Sequence, residues 1–221
     1  SDTPFQSAAT EAGTVDFYFD FASPYAYFAH GALVALTRRH GLRLRYRPVL
    51  LWVILKELGM PPPMEQPAKR RYMEHDMRRS AVYFGLPFQL PPGFPVSSHA
   101  AARLFHTLDT QAPRDCSAQG GDLVAALFKA YFVDGRDIAD LSVLGEVATV
   151  IGQTPGQAHQ AAQAEAGKAA LRQANAEAVQ RGVWGSPFWF HGDEGYFGAD
   201  RLAQFERSLD LALFDGTDSK V

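Results

Sequence analysis

The chain has 221 residues, 47% hydrophobic and 20% charged, the balance of a globular chain rather than a disordered one. Lys+Arg 21 against Asp+Glu 24 leaves a net charge of −3, so no overall positive field is available to hold a polyanion and nucleic-acid binding is not expected. A single cysteine, Cys116, excludes an internal disulfide, a Cys-X-X-Cys redox pair and every multi-cysteine zinc pattern.

Residues 1–13 are polar and rich in small side chains, as are residues 215–221, and both are expected to be flexible tails. No basic segment followed by an apolar one opens the chain, and no uncharged apolar run reaches the roughly 18 residues needed to span a bilayer. A cytoplasmic location without membrane contact is therefore expected.

Val15, Phe17 and Phe19 alternate in a β-branched and aromatic run, which predicts a strand over residues 15–20, buried on at least one face. Ser23-Pro24 then offers a hydroxyl N-cap with proline at the first helical position, and the apolar residues Tyr27, Ala29, Leu33 and Leu36 carry a helix as far as Arg39. Leu42, Leu44 and Tyr46 alternate with Arg43, Arg45 and Arg47 in a second strand. Strand, helix and strand together make a βαβ unit.

After Pro48 the pattern becomes helical for more than a hundred residues, with candidate helices over 52–58, 68–84, 97–109, 121–134, 141–151 and 156–181. The proline-rich connectors Met60-Pro61-Pro62-Pro63 and Leu90-Pro91-Pro92-Gly93-Phe94-Pro95 are expected to run extended. Cys116 falls in a polar stretch between inserted helices. Pro187 to Phe190, a turn over residues 191–195 and Tyr196 to Gly198 predict a hairpin. An amphipathic helix over 199–214, with Leu202, Phe205, Leu209 and Leu213 on one face, closes the chain. With the middle set aside, the order is βαβ then ββα. That is an α/β, thioredoxin-like domain (14–50 and 182–214) with a large α-helical insertion (51–181) between its halves.

In such a fold the functional corner lies between the first strand and first helix, where helix N–H groups and the macrodipole favour a thiolate. A Cys-Pro-X-Cys site would place its sulfurs at Ser23 and Ala26, and neither is cysteine. Ser23-Pro24 by itself is also simply a good helix start. Pro187 heads a strand in the order Gly182-Val183-Trp184-Gly185-Ser186-Pro187, and Asp200 puts a carboxylate in the first turn of the last helix. His30, His75, His99, His106, His159 and His191 show no metal-ligand spacing.

Phe17 to Tyr25, Ala130 to Ile138, Gly182 to Phe190 and Phe197 to Leu202, in this order and spacing, resemble the 2-hydroxychromene-2-carboxylate isomerases. These are relatives of the kappa-class glutathione transferases in the DsbA-like branch of the thioredoxin fold. The resemblance covers roughly residues 14–209 and implies glutathione as cofactor, with Ser23 donating its hydroxyl to the glutathione thiolate. A free thiol with a pKa of about 8.5 is only about 3% ionised at pH 7, and a two-unit depression, worth about 2.7 kcal/mol, raises that to about three quarters. The resemblance further implies thiolate addition to a conjugated carbon of a small aromatic hydroxy-acid substrate, then bond rotation and elimination.

Other roles follow from the same resemblance. Ser186, beside Pro187, would pair its backbone with the cysteinyl part of glutathione, Asp200 and Arg201 lie where the γ-glutamyl end is held, and Asn175 matches a polar position facing glutathione. Lys69 begins a helix where relatives bind a carboxylate, although a Lys/Arg run is more often a solvated face. Tyr25, Tyr27 and Trp52 are either an aromatic wall for the substrate or core packing. Met60 stands where relatives often carry asparagine, which puts the substrate or the strength of glutathione binding in question. Relatives are commonly dimers, so a homodimer is a further expectation. A kappa-like transferase that consumes glutathione, and a non-catalytic protein that binds thiols or peptides, remain as alternatives.

Overall fold

The computed structural model describes residues 12–111 and 117–215. Cys116, residues 1–11 and 216–221 of the expected tails, and the side chain of Leu213 lie outside the described residues. The first strand, Thr14–Phe19 (β1), is buried on both faces along its whole length. It pairs in parallel with Arg43–Pro48 (β2) and antiparallel with Phe188–His191 (β3). Glu194–Phe197 (β4) completes the hairpin with β3 and the sheet order β2-β1-β3-β4. Gly192, with φ 60°, stands first of the two turn residues between the paired His191 and Glu194, a position that glycine tolerates without strain.

Pro24–Arg39 (α1) connects β1 to β2. The insertion comprises Leu51–Glu57 (α2), Pro67–Phe84 (α3), His99–Gln111 (α4), Ser117–Phe132 (α5), Leu141–Val147 (α6), Pro155–Gln163 (α7) and Glu165–Gln180 (α8). A short 3-10 turn, Ala199–Arg201, leads into Leu202–Asp215 (α9), so Asp200 precedes the last α-helix instead of lying in its first turn, and Asp215 is still helical.

Two expectations are corrected. The helix expected over 156–181 is two helices, broken at Ala164, whose ψ of 140° is extended. The second starts where Gly167 lies against α4, and a Cβ there would collide with Thr107 Oγ1 and the Arg103 carbonyl. The connector at residues 90–95 turns instead of running extended: Phe94 N donates to Pro91 O (3.2 Å) around Gly93, φ 71°. The Phe94–Pro95 peptide is cis.

Alternation along the strands divides the sheet into two faces. On one, Val15, Phe17, Phe19, Tyr46 and Trp189 join the principal core with Leu33 of α1, Phe128 of α5 and Phe205 of α9. On the other, Tyr18, Phe188 and Phe190 pack with Ala174 and Ala178 of α8. That second face also carries charge, as the β2 pattern requires. Asp16 is paired across the strands with Arg45 (2.5 Å) and with Arg181 beyond the end of α8 (2.7 Å), both partners of the latter pair being almost wholly buried. Glu177 of α8 binds Arg47 and accepts the Tyr18 hydroxyl (2.7 Å). Burial and the adjacent Glu177 push the Tyr18 phenol up to about 12.

Two buried histidines are held neutral by this packing. His106 donates from Nε2 to the Pro48 carbonyl (2.7 Å), and His30 Nε2 is hydrogen-bonded to the Tyr46 hydroxyl (2.8 Å). Burial lowers both to about 4. An unfolded histidine titrates near pH 6.5, so between that pH and about 4 the unfolded chain takes up protons that the folded protein refuses, and stability falls across this window. The expected loss is about 3 kcal/mol per histidine by pH 4. Replacing His106 with glutamine, which keeps a donor for Pro48, should flatten the fall in melting temperature over the same pH range.

Candidate active site

Strand register brings the candidate residues to one end of the sheet. Tyr18 pairs with Phe188 in antiparallel, so the residue two beyond Tyr18 meets the residue two before Phe188: the Asp20 N–H donates to Ser186 Oγ at 3.0 Å. Phe19 pairs with Pro48 in parallel, which sets the start of α2 beside the same corner, and Leu51 N donates to Asp20 Oδ2 (2.9 Å). Phe188 pairs with Phe197, so Gly198 N reaches the Pro187 carbonyl (3.0 Å) and Asp200 follows two residues later.

Ser23 is the N-cap of α1, its Oγ accepting from Ala26 N (3.3 Å) while its hydroxyl donates to the Ser186 carbonyl (3.1 Å). The serine corner and the proline segment, far apart in sequence, are thus hydrogen-bonded to each other. No acidic residue occupies the first turn of α1, so its N-terminal N–H groups are not neutralised from within the helix. The Ser186–Pro187 peptide is cis.

Asp200 is exposed, and its Oδ1 lies over Gly198, where an added Cβ would come within 2.5 Å of it; Gly198 has φ 94°. Only glycine combines that backbone angle with that close approach. Among the described residues Asp200 has no ion-pair partner. Arg201 is exposed too, with Nη1 donating weakly to Gln204 Oε1 (3.4 Å). Asn175 is buried, and its Oδ1 accepts from Leu50 N (2.9 Å), so this polar helix residue holds the β2–α2 connection instead of facing water.

The aromatic residues separate. Tyr25 donates its hydroxyl to Asp76 of α3 (2.7 Å), which Arg79 also binds (2.5 Å), and burial with the adjacent Asp76 raises the Tyr25 phenol far above its usual range. Tyr27 donates to the Pro87 carbonyl (2.7 Å) and stacks on Phe132. Trp52, in the first turn of α2, is 56% exposed, which corrects the core-packing expectation for it: α2 buries Ile54 and Leu55 and leaves Trp52 outside. Met60 is also partly exposed. Lys69 lies exposed in the first turn of α3, about two turns from Asp76, and the described hydrogen bonds do not join it to the Ser23 corner.

Two residues here escaped the sequence reading. Trp184 is 44% exposed and packs on the Phe197 ring, centroids 4.0 Å apart, next to the Ser186 loop; the local signal was an aromatic inside a Gly-X-X-Gly segment. Asp20 is almost fully buried, and burial raises its carboxyl above the usual range while hydrogen bonds from Ser98, Ala22 and Leu51 act the other way. An acid placed directly after a buried strand was the visible sign.

A serine thus stands where a thioredoxin corner carries its first cysteine, hydrogen-bonded to the segment that leads into Pro187. The DSBA-like thioredoxin domain family model matches residues 14–210, and the chain belongs to that family. A 2-hydroxychromene-2-carboxylate isomerase of Sphingobium xenophagum is 31% identical over 198 residues, 89% of this chain and 97% of the relative. Within the DsbA-like class the chain is therefore a member of the 2-hydroxychromene-2-carboxylate isomerase family of enzymes. A solved 2-hydroxychromene-2-carboxylate isomerase superposes with TM-score 0.81 at 26% identity, covering 94% of this chain and 100% of that one. Glutathione S-transferase kappa 2 of Caenorhabditis elegans is 27% identical over 204 residues, 86% of this chain and 88% of its own.

Among the described residues no three or more His, Cys, Asp or Glu side chains are grouped to hold a metal ion, and no helix is long and apolar enough to cross a membrane.

Proposed function

We infer that the protein is a glutathione-dependent isomerase that interconverts 2-hydroxychromene-2-carboxylate and trans-o-hydroxybenzylidenepyruvate, or a closely related pair of aromatic hydroxy acids. The observation that carries this reading is the 3.1 Å hydrogen bond from Ser23 Oγ to the Ser186 carbonyl. It joins the helix-capping hydroxyl to the backbone segment beside Pro187 in a corner that has no cysteine at position 23 or 26.

The residues present fit glutathione. The exposed Asp200 carboxylate suits an ammonium, the Ser186 backbone suits an extended peptide, and the exposed Lys69 ammonium suits a carboxylate. Arg201, in the turn before the last helix, and Asn175, buried behind the α2 start with its amide on Leu50 N, complete the residues assigned to glutathione. When bound, glutathione supplies a thiolate able to add to and leave a conjugated carbon.

Ser23 stabilises that charge by turning its hydroxyl from the Ser186 carbonyl toward the incoming sulfur, a rotation about one side-chain bond. The α1 N-terminus adds its partial positive charge. Trp52, Met60 and Trp184 present exposed apolar surface suited to a planar ring, and Tyr25 is anchored by Asp76.

Purified protein should show a thermal shift with millimolar glutathione and should speed equilibration of the chromene with the pyruvate without consuming glutathione. Absence of both would overturn the reading. The kappa-class relative supports a second reading, a transferase that releases a thioether, for which glutathione would be consumed in step with an aryl halide.

A further inference from the structure

Asp20 is a buried acid whose bonds reach three separate helices. Its Oδ1 accepts from Ala22 N (2.9 Å) and from the Ser98 hydroxyl (2.6 Å), and its Oδ2 accepts from Leu51 N (2.9 Å). Ala22 leads into Ser23, the N-cap of α1, and Leu51 is the first residue of α2. Ser98 immediately precedes α4 and accepts Ala102 N on its carbonyl (3.0 Å), as an N-cap does. The segments that start three helices therefore meet at one carboxylate. The Asp20 main chain extends the junction, since its N–H donates to Ser186 Oγ (3.0 Å) and its carbonyl accepts from Ser23 N (3.0 Å).

The donors favour the ionised form and oppose the upward push of burial on this carboxyl. Backbone N–H groups meet both oxygens, Ala22 at one and Leu51 at the other, and a backbone N–H cannot become an acceptor. An amide turns its NH2 toward one of these N–H groups, whereas a protonated acid keeps some acceptor capacity but holds them more weakly than the carboxylate does. A buried anion is costly, and that cost is offset only where donors surround it.

We propose that Asp20 is the positioning residue of the site: its ionised carboxylate fixes the Ser23 N-cap, the first turn of α2 and the start of α4 relative to one another, and so sets the strength of the Ser23 hydrogen bond to a bound thiolate. The proposal rests on the glutathione reading above. It also makes a prediction whose sign separates positioning from charge. Asp20 is a negative group behind the α1 N-terminus, so neutralising it would, through charge alone, favour the thiolate and lower the pKa of the bound thiol. Loss of positioning weakens the Ser23 hydrogen bond and raises that pKa.

The test is the titration of enzyme-bound glutathione, followed by thiolate absorbance, in the wild type, Asp20→Asn and Ser98→Ala, with kcat and the glutathione Kd measured alongside. Asp20→Asn should raise the bound-thiol pKa by about one unit and lower kcat about threefold at pH 7, with a smaller change in Kd. Ser98→Ala, which removes one donor to the carboxylate, should shift the thiol in the same direction by less. A thiol pKa that falls or stays put in folded Asp20→Asn would overturn the proposal. If that variant does not fold, an unchanged thiol pKa in Ser98→Ala overturns it instead. Wild-type protein that gives no thiolate signal with glutathione defeats the underlying reading, and the proposal with it.

Discussion

Replacing Ser23 with alanine should lower kcat for the isomerisation by up to about twenty-fivefold at neutral pH while glutathione still binds. A hydrogen bond to a charged group contributes about 1.5–3 kcal/mol, and on the account above the Ser23 hydroxyl makes such a bond only once a thiolate is present. Its removal should accordingly raise the pKa of bound glutathione by one to two units, roughly, and reduce the ionised fraction at neutral pH in proportion. The peptide contacts assigned to Ser186 and Asp200 do not involve the Ser23 side chain, so Kd should change much less than kcat. A separate effect on stability is expected, because Ser23 Oγ also caps α1 at Ala26 N; losing a cap costs about 1 kcal/mol. Turnover within twofold of wild type would contradict the role given to Ser23.

The largest expected loss of stability lies on the opposite face of the sheet. Arg181→Ala removes the guanidinium that binds Asp16 at 2.7 Å, donates to the Tyr18 hydroxyl and lies 4.0 Å over the Phe190 ring. Both ends of the ion pair are about 2% exposed or less, so the carboxylate left behind loses its buried partner. Breaking a buried pair from one side costs about 3–5 kcal/mol; Arg45, which also binds Asp16, places the expected value near the lower end. For a chain of this length that corresponds to a melting temperature lower by roughly 10 °C. The Ser23 corner lies at the end of β1, away from Arg181, so kcat of the folded variant should be close to wild type. A thermal shift worth less than about 1 kcal/mol would show that the pair contributes little.

Local chemistry made much of this architecture legible in the sequence. Alternation identified the strands, Ser23-Pro24 marked the start of α1 at its observed position, and Gly182 to Phe190 marked the return to the sheet. Once those strands are paired in register, Ser23, Ser186, Pro187 and Asp200 must gather at one sheet end. The break at Ala164 was not legible, because nothing in an alanine-rich helix announces it; just beyond it Gly167 approaches Thr107 and Arg103, some sixty residues earlier. Trp52 stayed between two readings because residue type does not say which face of a short helix is buried; Ile54 and Leu55 take that face. Asn175 faces inward because the Leu50 N–H needs an acceptor. The junction at Asp20 depends on Ser98, 78 positions away, a separation that no local pattern reports.

The central claim is that the Ser23 corner receives the sulfur of glutathione, and a crystal structure of the glutathione complex tests it most directly. The account predicts the sulfur within hydrogen-bond reach of Ser23 Oγ, about 3.5 Å or less, with the cysteinyl backbone beside Ser186 and the γ-glutamyl ammonium at Asp200. Glutathione bound with its sulfur away from Ser23, or absent from the crystal at saturating concentration, would contradict it.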